Sequence, residues 1–216
     1  GAAPLVWVIG AIGWRATLWG LAVVTLAVAA MIMALVRDPP RLDHAGPRGS
    51  LREVIGLRAL WFILPLFSVS YAVSAAIRGL WAGPWLAEVH HASDATIGRA
   101  TLVMGIAMVV GNFVVGPVAT RLGSIRRTAL IFTGGEVLVT GALWLWGAQS
   151  LTLAVALLAL VGLSGASFTL LMAHGRTFLP PHLVGRGVTF LNMFSVGGVA
   201  VLQFGSRPVW RAAMGA

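Results

Sequence analysis

ATLVMGIAMVVGNFVVGPVATRLGSIRR, residues Ala100 to Arg127, decides how this chain is read. From Ala100 to Thr120 there is no charged side chain, and Val, Ala, Gly, Met and Leu dominate. A helix needs about 20 mostly apolar residues to cross a bilayer. Arg121, Arg126 and Arg127 then arrive together. An apolar run ending in a tight basic turn is the pattern of a transmembrane helix meeting a membrane surface.

The same pattern repeats outward on both sides. Apolar runs extend from Ala16 to Val36, Ala59 to Ala87, Thr128 to Trp146, Leu151 to Ala173 and Gly187 to Phe204. None alternates with period two, as strands of a membrane barrel would. Helix is the consistent reading. Composition agrees, with 58% of residues hydrophobic and 10% charged. An average soluble domain has about 25% charged residues. Six acidic and fifteen basic side chains are too few to coat a soluble fold of this size. The expected class is an all-α polytopic membrane helix bundle with six full spans.

The net charge of +9 has a membrane explanation. Every basic residue is Arg, set between apolar runs, with no stripe of interleaved aromatics. No nucleic-acid partner is therefore expected. With no Cys in the chain, disulfides, thiolate metal sites and Cys nucleophiles are excluded. No cofactor and no metal site are expected. The adjacent pair His90-His91 reads as a solvated loop pair.

Arg distribution predicts orientation. If every run crosses, Arg37, Arg41, Arg48, Arg52, Arg58, Arg121, Arg126, Arg127, Arg176 and Arg186 share one side. Arg15, Arg99, Arg207 and Arg211 share the other. Ten against four makes the first side cytoplasmic. Arg78 falls inside a span. The Arg37–Arg58 loop, with Pro39-Pro40 and Gly46-Pro47, reads as an irregular linker and a domain boundary. Residues Ala2 to Gly13 are apolar but too short to cross alone, and the chain leaves the membrane after Gly205. This reads as a fragment, with one helix cut upstream and one missing downstream.

The most specific motif is Gly116-Pro117-Val118-Ala119-Thr120-Arg121-Leu122-Gly123-Ser124-Ile125-Arg126-Arg127. Gly116 and Gly123 are expected to let the backbone turn sharply. The Arg side chains suit a helix C-terminus and lipid phosphates. A generic positive-inside loop would have similar charge. In its order of residues, the turn resembles the cytoplasmic loop motif of the major facilitator superfamily: Gly, three residues, Asp-Arg, one residue, Gly, then basic residues. Gly116, Arg121, Gly123, Arg126 and Arg127 occupy those places. Thr120 stands where the acid would be, and Ser124-Ile125 delays the basic pair.

Other stretches are similar to the same family. Gly13-Trp14-Arg15 resembles the external turn between its fifth and sixth helices. Arg37–Arg58 resembles its central loop. Ile77–Leu86 resembles the external end of its seventh helix, and Gly185-Arg186-Gly187 with Asn192 and Gln203 its eleventh. The resemblance implies residues 1–36 as the end of an N-terminal half-bundle, 37–58 as the central loop and 59–216 as a C-terminal half-bundle lacking its last helix. It implies a secondary transporter working by alternating access in the inner cell membrane. The partners would be the lipid bilayer, a small-molecule substrate, the missing N-terminal half-bundle and, as an open question, a coupling proton or ion.

Candidate substrate-binding residues lie inside the spans. Tyr71, Ser74, Arg78 and Trp81 follow steps of three, four and three and are expected on one helix face. A guanidinium there would favour an anionic or carboxylate-bearing substrate; snorkelling to the membrane surface is the alternative. Ser164, Ser167 and His174 share a face of what would be the tenth, cavity-lining helix. Asn192 is the eleventh-helix candidate, with interhelical hydrogen bonding as its alternative. Glu136 is an intramembrane carboxylate, a functional candidate by its position. The resembled family would put it on the peripheral ninth helix, which favours a buried pair or an interfacial site over coupling. Gly79/Gly83, Ala107/Gly111 and Gly162/Ala166 are small-residue pairs suited to close helix packing.

A rival reading is a membrane enzyme. Gly162-Leu163-Ser164-Gly165 has the GxSG form of rhomboid intramembrane serine proteases. Such a Ser needs a His base within hydrogen-bond reach. His174 is ten residues away, about 15 Å along the same helix, and no later span contains a His. A non-transporting membrane subunit is the other alternative.

Overall fold

A computed structural model describes residues 3–37 and 49–213, helices joined by short turns and coil with no strand among them. Most of the central linker, including Arg41, Arg48 and its Pro and Gly pairs, lies outside the described residues, as does the side chain of Arg211. Six helical segments are long and apolar enough to span: Pro4–Leu35, Arg58–His90, Asp94–Leu122, Ile125–Trp146, Leu151–Arg176 and Pro181–Val209. They match the six expected runs, with longer ends. The last helix does not stop near Gly205 but continues to Ala213.

Helix α1 (Ala3–Leu35) is interrupted at Gly13, with φ 79° and ψ 160°. Glycine takes that conformation without a Cβ clash, so the break falls at the expected junction of two helices. Nearly all of α1 is exposed; its main partner is α5. In a bilayer these apolar side chains face lipid or another bundle.

Serine begins four helices. The hydroxyls of Ser50, Ser93, Ser124 and Ser150 accept from the backbone N–H groups of Glu53, Thr96, Arg127 and Leu153. They start α2 (Leu51–Gly56), α5 (Asp94–Leu122), α6 (Ile125–Trp146) and α7 (Leu151–Ser164). Each hydroxyl satisfies one otherwise unpaired N–H at the helix start. In α2 the cap is reciprocal, because the Glu53 carboxylate accepts from Ser50 N–H at 2.9 Å.

The span Arg58–His90 is composite. Helix α3 (Arg58–Ala76) passes through a π turn (Ile77–Trp81) into α4 (Ala82–His90). Pro84 explains the wide turn. It offers no N–H to the Leu80 carbonyl, and its ring crowds that carbonyl in a regular helix. The backbone instead closes from Ala82 N–H to Ile77 C=O. The tenth-helix candidate is also divided, with a turn at Gly165-Ala166 between α7 and α8 (Ser167–Arg176). A short 3-10 turn (Pro181–Leu183) leads into α9 (Val184–Ala213).

Helix pairs α3/α9 and α5/α7 form the two most extensive contacts, and α6 packs on α7 and α8. In α5/α7 the close approach is reciprocal. A Cβ at Gly111 would strike the Leu163 carbonyl, and one at Gly162 the Met104 carbonyl. Those two members of the expected small-residue pairs are packing positions. Two apolar clusters result. One, at the Arg-rich end, includes Leu60, Leu64, Phe67, Phe132, Leu171 and Leu191. The other, at the opposite end, includes Ala82, Leu86, Met104, Leu158 and Val161.

Candidate functional site

Between these clusters lies a buried polar layer. Along α3, Ser70 and Ser74 separate Phe67 of the first cluster from Ala82 of the second. Along α7 and α8, Ser164 and Ser167 separate Val161 from Leu170. On α6, Glu136 lies between Phe132 and Val139. Each of these five polar residues is at most 5% exposed. The Ser74 hydroxyl donates to the Tyr71 carbonyl at 3.3 Å, and Ser164 donates to the Val161 carbonyl at 3.0 Å. Ser74 also fills the space where a Cβ at Gly165 would sit. The Ser167 hydroxyl and one Glu136 carboxyl oxygen are buried without a hydrogen-bond partner. Glu136 is eleven residues into α6, about 17 Å from its start, and its side chain points into the bundle. That burial removes the interfacial alternative for Glu136, and no ion-pair partner for it is present among the described residues.

The second polar region is the edge between the π turn and α9. Trp81 Nε1–H donates to Ser206 Oγ at 2.9 Å. The amide nitrogen of Gln203 lies 3.4 Å from where a Cβ on Gly79 would be. Between Gly79 and the buried face, Arg78 projects outward and is exposed. No carboxylate lies within ion-pair distance of it among the described residues. The π turn also breaks the even spacing of the predicted stripe. Ser74 turns into the bundle, Tyr71 is half-buried with its ring 5.0 Å from that of Phe168, and Arg78 turns out. The structure therefore brings Gly79 to Gln203 and Trp81 to Ser206, with Arg78 exposed on the same turn, and leaves Ser74 in the polar layer.

The remaining candidates are dispersed. His174 stands in the last turn of α8 with its ring 5.0 Å from Phe178, beside Arg126 and Leu171 at the Arg-rich end. Ser167 and His174 are seven residues apart on α8, two turns along one face, while the Gly165-Ala166 turn separates Ser164 from both. The Ser–His pairing of a serine protease is not formed, since Ser164 is bonded to its own helix. Asn192 is exposed on α9. It lies eleven residues before Gln203, three helical turns along the same face. His90 is not a solvated pair member. Its Nε2 is 2.9 Å from the Gly147 carbonyl and its ring packs edge-on to Trp85 at 5.2 Å. Ser206 and the unpartnered Thr133, Thr140 and Ser195 hydroxyls were not singled out from sequence. Hydroxyls in apolar runs read there as small packing residues, although Ser195, Gln203 and Ser206 do repeat at helical spacing.

The Arg-rich turn has a local explanation. Gly123 closes α5 in the left-handed region, φ 57°, where a Cβ would be strained. Ser124 then caps α6 at once, which is why two residues precede Arg126 and Arg127. Arg121 sits in the last turn of α5, favourable at a helix C-terminus. Gly116 makes no turn. It is helical, and a Cβ there would meet nothing.

The membrane-length spans agree with the comparison of the sequence to known families. A family model described as Major Facilitator Superfamily matches residues 1–202. No curated protein matches the chain. This multi-pass α-helical membrane protein belongs to the major facilitator superfamily, a family of membrane transporters.

Proposed function

We propose that the chain is part of a secondary active transporter that moves a small anionic or carboxylate-bearing solute by alternating access. In this reading, residues 1–36 end one half-bundle, 37–58 link the halves and 59–216 belong to the second half. The protein resides in the inner cell membrane, with the Arg-rich loops cytoplasmic. Gly116, Arg121, Gly123, Arg126 and Arg127 form its cytoplasmic loop, where the guanidinium groups meet lipid phosphates. The substrate passes along the α3/α9 face, contacting Tyr71, Arg78, Trp81 and Asn192. Ser74, Ser164, Ser167 and His174 shape the bundle behind that face.

The observation that supports this most is Arg78. It is exposed within an apolar span, without an ionic partner among the described residues, on the π turn whose Gly79 and Trp81 meet Gln203 and Ser206 of α9. An unpaired guanidinium inside a span needs water, a partner or a ligand. Its planar fork matches a carboxylate with two parallel hydrogen bonds. The test is uptake of labelled lactate, succinate and benzoate into proteoliposomes holding the protein with both half-bundles. At least one should enter saturably, with uptake lost in both Arg78→Ala and Arg78→Lys. Equal uptake by all three proteins would make Arg78 a snorkelling anchor, and saturable uptake of neutral solutes alone would overturn the anion reading.

A further inference from the structure

A groove runs along α9. At the Arg-rich end it is a cavity of about 480 Å3 between α2 and α9, whose walls include Leu51, Ile55, Arg186, Thr189, Phe190 and Met193. Further along it is a cavity of about 620 Å3 between α3 and α9, whose walls include Ser68, Val69, Met193, Phe194, Gly197 and Val201. Met193 borders both and joins them. Arg186, Thr189, Met193 and Gly197 follow steps of three, four and four and share one face of α9. Gly197 lies eleven residues beyond Arg186, about 17 Å along the helix. Beside it the two helices touch, because a Cβ at Gly198 would strike the Ser68 carbonyl. That contact closes the floor. Over Gly197 itself there is open space, since a Cβ there would meet no atom within 4 Å.

The chemistry of this groove is one-sided. Arg186 is the only charged residue on its walls, it is exposed, and no carboxylate pairs with it among the described residues. Beyond it, α9 carries no charge from Gly187 to Ser206, and α3 none from Ala59 to Ile77. The two hydroxyls on the walls are already committed. Ser68 donates to the Leu64 carbonyl at 2.8 Å, and Thr189 to the Gly185 carbonyl at 3.0 Å. Asn192, next to Met193, brings only a neutral amide, a weaker partner for a carboxylate than a guanidinium. The remaining surface is hydrocarbon and aromatic. Phe190 and Phe194 stack edge to face with ring centroids 5.0 Å apart, backed by Trp61. Such rings favour an aromatic guest, and Met193 can adapt to its shape. A second carboxylate in that stretch would be desolvated without a partner.

We propose that the solute is an amphipathic monocarboxylate, one carboxylate on an apolar, preferably aromatic, body. Arg186 takes the carboxylate at the Arg-rich mouth of the groove, and Gly197 sets the bulk of the body that can pass. This rests on the reading of the α3/α9 face as the solute path and narrows the solute class within it. One cation at the mouth and an apolar wall beyond it suit one charge followed by hydrocarbon. They do not suit a dicarboxylate, whose second charge finds no donor, or a small hydroxy acid, which leaves the apolar wall uncovered.

The test is displaceable binding of labelled 4-phenylbutyrate, lactate and succinate to the detergent-solubilised protein with both half-bundles. 4-Phenylbutyrate should bind about tenfold or more tighter than succinate, and about tenfold tighter than its own neutral amide. Gly197→Leu should weaken 4-phenylbutyrate about tenfold by filling the groove, while leaving lactate nearly unchanged. Arg186→Gln should weaken every acid that binds. Arg176→Gln, which removes an exposed charge at the end of α8, should not. Succinate or lactate bound more tightly than 4-phenylbutyrate would overturn the solute class and leave the anion reading standing. Binding of none of the three acids would remove the anion reading beneath it. Equal binding of acid and amide would mean simple partition into an apolar groove and would overturn the proposal. Equal losses in Arg186→Gln and Arg176→Gln would reduce Arg186 to general surface charge. Unchanged affinities in Gly197→Leu would place the solute elsewhere. Failure of Gly197→Leu to fold by circular dichroism, with Gly197→Ala folded, would make the groove the seat of another helix and overturn the proposal as well.

Discussion

The indole N–H of Trp81 donates to the hydroxyl of Ser206 at 2.9 Å, joining the π turn of one span to the far end of α9. The two residues are 125 positions apart in sequence. The bond holds Gly79 against the Gln203 side of α9. Hydrogen bonds between membrane helices average only about 0.6 kcal/mol, so this link orients the edge more than it stabilises the bundle.

A double-mutant cycle should resolve it. Trp81→Phe and Ser206→Ala should each lower stability in detergent-denaturant unfolding. Together they should cost less than their sum by about 0.6 kcal/mol. Strict additivity would mean that the bond carries no energy.

The α5/α7 crossing gives a sharper stability test. Gly111→Ala and Gly162→Ala each place a Cβ against a carbonyl of the facing helix. Each should cost about 1–3 kcal/mol, the usual effect of overpacking. Gly105→Ala, on the same α5 but with open space around it, should be neutral or slightly stabilising because Ala favours helix. Thermal unfolding of the three variants gives the order.

Outside the spans, α2 should report pH. The Ser50 backbone N–H and then its hydroxyl, with His182 adding less, hold the Glu53 carboxyl below its ordinary range. His182 Nε2 lies 3.5 Å from Glu53 and is an ionic partner when protonated. A depressed folded-state pKa stabilises the cap above the unfolded value, about 4.3, and that contribution is lost as pH falls through the folded value. Amide exchange in Leu51–Gly56 should therefore speed up below pH 4 by more than intrinsic chemistry requires, and Glu53→Gln should abolish the difference.

Much of this architecture is legible in sequence for simple reasons. The spans are read because lipid demands apolar runs of fixed length, and Gly123 because the turn after Arg121 has few other solutions. Gly116 was read as a turn on the strength of its motif position, yet helix geometry is satisfied there. The π turn was not legible, since Pro84 permits a kink, a stop or a widened turn alike. That ambiguity is what separated Ser74 from Arg78. For Glu136 the sequence leaves a buried pair and an interfacial site both open, because a helix's rank in a bundle says nothing about where one side chain on it points. Burial supplied that, and with it the polar layer.

The central claim is that the α3/α9 face, not the face of α6, lines the solute path. It is tested by single-cysteine labelling, for which the chain offers a background free of Cys. In membrane vesicles bearing both half-bundles, Asn192→Cys and Gln203→Cys should react with a membrane-impermeant maleimide. Leu138→Cys, at a position 75% exposed on the outside of α6, should stay unreactive because lipid covers it. Labelling at Leu138→Cys with silence at Asn192→Cys and Gln203→Cys would contradict the account.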